Sequence, residues 1–222
     1  MSLVVYVKVS DTSYACREAT SAPPGSPGDF KKHLPDGETT QQHLADSLHS
    51  TQTVTQPITE FDPYAEDDID CDEVYPAIYI GDAATAKNIV YLKRLGITHL
   101  LNAAQGKKFG FVNTDERYYS NTAIKYLGLP LADLCTTDIS KYFYTAATFI
   151  DEAVSTGGKV FVHCMLGISR SATCVLAYLM IKKEMLAVDA IRTVRKNRFI
   201  EPNRGFLHQL AQIDNHLRRQ RL

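Results

Sequence analysis

Nine consecutive residues, His163-Cys164-Met165-Leu166-Gly167-Ile168-Ser169-Arg170-Ser171, hold the strongest chemical signal in the chain. A cysteine and an arginine lie six positions apart, between an apolar, strand-like run over 159–162 and a helix-like run over 172–180. A strand that ends in a tight loop before a helix N-terminus is an anion site, because loop N–H groups point inward and the helix dipole favours negative charge. A thiol at the start of that loop and a guanidinium at its end make a phosphate cradle with a nucleophile at its floor. Met165, Leu166, Gly167, Ile168 and Ser169 supply the backbone N–H groups of the cradle.

Hydrolysis of a phosphate ester without a metal needs a nucleophile that is charged at neutral pH. A free cysteine, with a pKa near ~8.5, is only a few per cent thiolate at pH 7, whereas a helix N-terminus and an adjacent cation bring it to roughly 3.5–7.5. Helix-end electrostatics supply only about 0.3–2 kcal/mol, so loop N–H groups and Arg170 must supply the rest. Cys164 is therefore the expected attacking thiolate. Arg170 is the expected clamp, its planar fork holding two phosphate oxygens where lysine would offer a point charge. Ser171 opens the helix with a hydroxyl near the sulfur and helps the thiolate leave. His163 orients the loop through a hydrogen bond, a role close to that of any buried structural histidine.

The leaving oxygen needs a proton, which is worth about 10²–10⁴ in rate. The stretch Tyr126-Leu127-Gly128-Leu129-Pro130-Leu131-Ala132-Asp133 reads as a short apolar strand running into a loop acid, and Asp133 is the expected general acid. Asp138 is the rival. It precedes the start of a helical pattern at Ile139 and reads better as an N-cap.

These residues must be positioned by alternating strands and helices. Strands are expected over 78–80, 98–101, 124–129 and 160–163, the last buried on both faces by its unbroken apolar run. Helices are expected over 83–95, closed by Gly96, and over 139–154, closed by Gly157-Gly158. Three more helices follow, over 169–183, 187–198 and 205–218. The pattern predicts an α/β fold, a central mixed sheet flanked by helices, with the nucleophile at the carboxyl end of a central strand where open α/β sheets bind ligands. Residues 1–65 hold six of the nine prolines and are rich in Ser, Thr, Gln and Asp. They read as a largely disordered extension, with a short strand over 4–9. Residues 66–70 form an acidic hinge into a domain over 66–222.

The 222 residues are 45% hydrophobic with formal net charge −1. Residues 1–65 carry four Lys and Arg against eight Asp and Glu, and the remainder twenty against seventeen. That mild basic excess suits anionic substrates and is too small to argue for nucleic acid. No apolar run approaches the ~18 residues that span a bilayer. No signal peptide is expected from the first residues, and no myristoylation, since Ser2 stands where that pattern has glycine. The expected location is the cytoplasm, the nucleus or both, with no membrane partner. The cysteines Cys16, Cys71, Cys135, Cys164 and Cys174 are odd in number and lack paired spacing, so neither a disulfide framework nor a zinc site is expected. Cys135 or Cys174 could approach Cys164 as a reversible disulfide. Simple packing of Cys174, and no special role for Cys135, is the plainer reading.

The run Cys164–Arg170 followed by Ser171 resembles the Cys-x5-Arg-Ser signature of protein-tyrosine phosphatases. Ala177-Tyr178-Leu179-Met180, Asp133 after Tyr126-Leu127-Gly128, and Pro202-Asn203-Arg204-Gly205-Phe206 resemble a dual-specificity phosphatase. Asn113-Thr114 and Leu101-Asn102-Ala103-Ala104 narrow the resemblance to the small atypical members. It covers about 70–217, and it implies a phosphotyrosine-phosphatase-like sandwich and a shallow pocket. It further implies a cysteinyl-phosphate intermediate, no cofactor, and activity on phosphotyrosine and on phosphoserine or phosphothreonine in proteins. Mitogen-activated protein kinases are a family-level candidate among phosphoprotein partners. The resemblance also makes Arg195 a candidate second phosphate-binding arginine, against the alternative that a basic helix run is a solvated face. Met165, Leu166 and Ile168 give the loop a more apolar rim than some relatives have. A lipid or polyphosphate phosphatase would be expected to carry lysines inside the loop, and Arg170 is the only basic residue there. A phosphoprotein-binding module would be expected to lack the cysteine or the arginine. A rhodanese-like sulfurtransferase, which also uses a loop cysteine, would have no use for Asp133.

Overall fold

The computed structural model describes residues 34, 36–54 and 69–222. Five strands form one sheet in the order β1-β2-β5-β3-β4, with β1 Cys71–Tyr75, β2 Ile78–Gly81, β3 Ile97–Asn102, β4 Lys125–Gly128 and β5 Lys159–His163. Only the β1–β2 pair is antiparallel; β5 pairs in parallel with β2 on one side and β3 on the other. The sheet is therefore mixed, as expected, but the strand that makes it so, β1, is not among the strands read from the sequence. Alternation along β5 divides the core: Val160 and Val162 face the large cluster under the helices, and Phe161 faces a smaller one with Tyr79, Leu92 and Leu100.

Helices α4 Phe143–Ser155, α5 Arg170–Lys182, α6 Ala187–Asn197 and α7 Arg204–Gln220 cover the first face. α5 lies innermost. Every residue from Arg170 to Met180 is buried, which is why the apolar pattern after the loop has no polar face. On the other face, α2 Ala83–Lys87 and α3 Ile89–Leu95 replace the single helix expected over 83–95. Asn88 divides them: its N–H donates to Thr85 O at 3.0 Å and its Oδ1 accepts from Tyr91 N at 2.9 Å, so one residue ends a helix and starts the next. The helix expected over 139–154 begins as a 3₁₀ turn, Ser140–Tyr142, before α4.

Residues 1–65 do not all read as expected. α1, Gln41–Ser50, is a helix within them. Thr40 accepts from His43 N at 3.2 Å while the His43 ring accepts from Thr40 N at 3.4 Å, closing a capping box. Leu44 and Leu48, one turn apart, are fully buried against α6 and α7. Thr39 Oγ1 donates to Asp214 Oδ2 at 2.6 Å, and Val54 N donates to Lys196 O at 2.8 Å. This segment is held by two apolar anchors and its polar flanks, not by a composition that looks helical. The strand expected over 4–9 lies outside the described residues. No helix among the described residues is long and apolar enough to cross a membrane.

Candidate active site

β5 ends at His163 and α5 starts at Arg170, so the six residues between them form the cradle. Gly167 lets the loop turn: it sits at φ +65, and a Cβ there would stand 2.5 Å from Arg198 Nη2 and from Gly81 O. Cys164 is buried at the floor, 1% exposed. Ser171 Oγ donates to its Sγ at 3.4 Å. Burial opposes the thiolate, but the Ser171 hydroxyl and N–H, the Arg170 charge and the Ile168 N–H outweigh it, and the Cys164 pKa lies below the ordinary thiol value. By contrast, burial pushes the Cys174 thiol behind the loop up to about 12, which keeps it protonated. Among the described residues all four cysteines, including exposed Cys135, are free; Cys16 lies outside them.

His163 Nδ1 is 3.0 Å from Cys164 O, and burial holds its pKa down at about 4. The neutral ring therefore donates from Nδ1 to that carbonyl and ties the first loop peptide to the end of β5. Arg170 is anchored by Nη1, which donates to Gly110 O at 2.9 Å and Leu131 O at 3.1 Å. Its Nε is buried with no hydrogen-bond partner, although Asp133 Oδ2 lies 3.5 Å away. A buried guanidinium N–H without an acceptor is costly, and an anion in the cradle is the partner that would complete it.

Asp133 reaches the same place from the loop after β4. Its Oδ1 accepts from Ser169 Oγ and from Asn203 Nδ2, both at 2.8 Å. Asn203 is fixed in turn as the N-cap of α7, its Oδ1 accepting from Phe206 N at 3.1 Å. Gly205 lets the loop beyond Asp133 pass close, since a Cβ there would fall 1.9 Å from Cys135 O. Asp138 is elsewhere, accepting from Ser140 Oγ at 2.6 Å rather than capping backbone N–H groups.

The cavity formed over the loop holds about 370 Å³. Asp133, Cys164, Ser169, Arg170, Glu201 and Asn203 line it with Met165, Leu166 and Ile168. The loop residues, Cys164, Asp133 and Arg170 expected from sequence thus meet in one place. Arg195 does not. Its guanidinium donates to Thr51 O at 3.4 Å and to Ile200 O, and it stacks 4.0 Å over the Phe199 ring. Arg195 therefore tethers the segment after α1 and is not among the residues that line the cavity.

Sequence reasoning missed Arg198, the buried support of the cradle. Its Nε donates to Gly167 O at 2.9 Å, while Nη1 and Nη2 meet Asp70 at 2.6 and 2.7 Å and Nη1 meets Asp72 at 2.6 Å. The acidic stretch read as a hinge, with β1 after it, thus holds the arginine that holds the loop. Glu201 and the Asn203 link were missed as well. Their only sequence signal is the motif around Pro202, which resembles the family without revealing what touches what.

The family model described as "Dual specificity phosphatase, catalytic domain" matches residues 78–216. Dual specificity protein phosphatase 26 of Pongo abelii is 49% identical over 148 residues, which are 66% of this chain and 68% of that protein. A crystal structure of a mouse putative dual specificity phosphatase complexed with zinc tungstate superposes with a TM-score of 0.61 at 28% identity, covering 71% of this chain and 94% of that one. The human tyrosine phosphatase-like serine/threonine/tyrosine-interacting protein superposes with a TM-score of 0.58 at 33% identity, covering 65% and 95%. With its cradle, its mixed sheet and these relatives, the chain belongs to the dual-specificity protein phosphatases, in their atypical branch, and hydrolyses phosphotyrosine and phosphoserine or phosphothreonine in proteins through a cysteinyl-phosphate intermediate.

Proposed function

We propose that Cys164 is the nucleophile, Arg170 the phosphate clamp and Asp133 the general acid and base of this phosphatase. The observation that carries the reading is the Cys164 thiol. It is held below its ordinary pKa despite burial, on the floor of a cavity whose buried arginine Nε–H has no hydrogen-bond partner. In the first step the Sγ–P bond forms and the P–O ester bond breaks, with the Asp133 proton passing to the leaving oxygen. Asp133 Oδ1 is occupied by Ser169 and Asn203, so Oδ2 is the oxygen that carries the proton. In the second step water attacks phosphorus, Asp133 takes its proton, and the S–P bond breaks while Ser171 donates to the departing thiolate. The N–H groups of residues 165–169 and Arg170 receive the oxygens, and His163 keeps the loop in register.

Cys164→Ser should abolish turnover. Asp133→Asn should cost about 10²–10⁴ on an alkyl phosphoester and less on p-nitrophenyl phosphate, whose leaving group needs little protonation. Full turnover of the alkyl ester by Asp133→Asn would refute the acid assignment. Signalling phosphoproteins of the cytoplasm and nucleus are the proposed substrates. Mitogen-activated protein kinases are the candidate that the family resemblance supports.

A further inference from the structure

Glu201 stands on the rim of the catalytic cavity. Its N–H donates to Ile168 O at 2.9 Å, which fixes it to the cradle loop itself. Its side chain is 42% exposed. Two groups of opposite sign face it: His49 Nε2 from α1 at 3.1 Å, charged only when protonated, and Arg195 Nη1 from α6 at 3.9 Å. The Arg195 side chain is only 10% exposed and is turned to Thr51 O, Ile200 O and the Phe199 ring. The carboxylate is therefore more open to solvent than the cation beside it, and it is the member of the pair that lines the cavity. Leu166, 63% exposed, and Asp133, 34% exposed, also line the cavity, and among the described residues Arg170 is the only Lys or Arg lining it.

We propose that Glu201 is a specificity-determining residue that directs this phosphatase to singly phosphorylated sites with basic or apolar neighbours, and against acidic or doubly phosphorylated ones. The inference rests on the phosphatase reading above and names its substrate class. A residue flanking the phosphorylated one on this side meets the carboxylate of the Glu201–Arg195 pair, which is 42% exposed, rather than its arginine, which is 10% exposed. Exposed charge pairs shift equilibria by about 1.5- to fivefold. A neighbouring phosphate, with a charge of about −1.5 to −2, is repelled more strongly than a carboxylate. The discrimination between a basic flank and an acidic or phosphorylated one is therefore about three- to tenfold. It weakens with salt, because the screening length falls from about 10 Å at 0.1 M to about 3 Å at 1 M.

The test uses the full chain and three peptides of one sequence around a single phosphotyrosine, with arginine, glutamate or phosphothreonine at the flanking position. Values of kcat/KM are compared as ratios between peptides, for the wild type, Glu201→Gln and Glu201→Lys, at low and high salt. The wild type should favour the arginine peptide. The ratio should shrink toward one in Glu201→Gln and at high salt, and reverse in Glu201→Lys. Equal ratios in wild type and variants, or a wild type that favours the phosphothreonine peptide, would overturn the assignment. Wild-type failure on all three peptides would instead remove the phosphatase reading, and the inference with it.

Discussion

Replacing Arg198 by methionine should loosen the cradle from outside without touching any group that meets the substrate. Arg198 is 5% exposed and joins two elements: the loop through Gly167 O, and the strand edge through Asp70 and Asp72. Methionine fills most of the volume but leaves Gly167 O, a buried acceptor, without its donor, at a cost of about 1–3 kcal/mol. The two carboxylates are 45% and 46% exposed, so water takes over part of their solvation, and each lost pair adds about 0.2–1 kcal/mol. The sum is about 3 kcal/mol, which for a domain of this size lowers the melting temperature by about 6–12 °C. Catalysis should fall too, because the loop N–H groups no longer converge; a tenfold loss of kcat/KM corresponds to only about 1.4 kcal/mol of that anchoring. Thermal melting and p-nitrophenyl phosphate turnover measure the two effects on one preparation, and Arg198→Lys, charged but without the fork, should fall between. A melting temperature within about 1 °C of wild type, with unchanged kcat/KM, would refute the idea that this arginine holds the loop.

Other perturbations probe different links. His163 has its folded pKa, about 4, below the ordinary 6.5, so the unfolded chain binds the extra proton between those values. The stability from the neutral ring is complete above pH 6.5 and is lost as pH falls from 6.5 toward 4, by about 3 kcal/mol at most. His163→Asn, which keeps a donor for Cys164 O, should flatten that acid limb in denaturant midpoints, and unchanged slopes would count against it. Ser171→Ala removes the largest influence lowering the Cys164 pKa. It should slow iodoacetamide alkylation at mildly acid pH, move the acidic limb of kcat/KM upward and make the cysteinyl-phosphate accumulate; an unshifted limb would contradict the electrostatic account. Leu48→Ala should cost about 2–5 kcal/mol, because the side chain is fully buried between α1 and its neighbours. Faster proteolysis near residues 41–54 would show the helix releasing, and wild-type resistance would show that α1 is held by something else.

The contrast between what the sequence disclosed and what it did not follows contact distance along the chain. The cradle was legible because nucleophile, N–H groups and clamp are contiguous, and strand and helix periodicities flank them. Asp133 was legible as an acid ending a strand pattern. Arg198 was not, because its partners Asp70 and Asp72 lie more than a hundred residues away and nothing local distinguishes it from Arg195 in the same basic run. The two arginines exchange their expected importance once α6 has a register: Arg195 turns toward the residues after α1, and Arg198, just past the helix end, turns toward the loop. β1 escaped notice because only Val74 in it is buried, so its alternation is a single residue deep. α1 escaped because Leu44 and Leu48 are its only large apolar residues, and their partners on α6 and α7 come late in the chain. Asn88 split a helix whose apolar spacing ran through it, since a side-chain oxygen competed with the backbone for the next turn.

The most direct test of the central claim is to trap the covalent intermediate. Wild type and Cys164→Ser are mixed briefly with a phosphotyrosine peptide, quenched in acid, digested, and the peptide containing residue 164 is weighed. The account predicts one phosphoryl group on Cys164 of the wild type, none on Cys164→Ser, and no phosphate release by that variant. Phosphate release by Cys164→Ser at the wild-type rate, or a phosphoryl group on a different residue of the wild type, would contradict it.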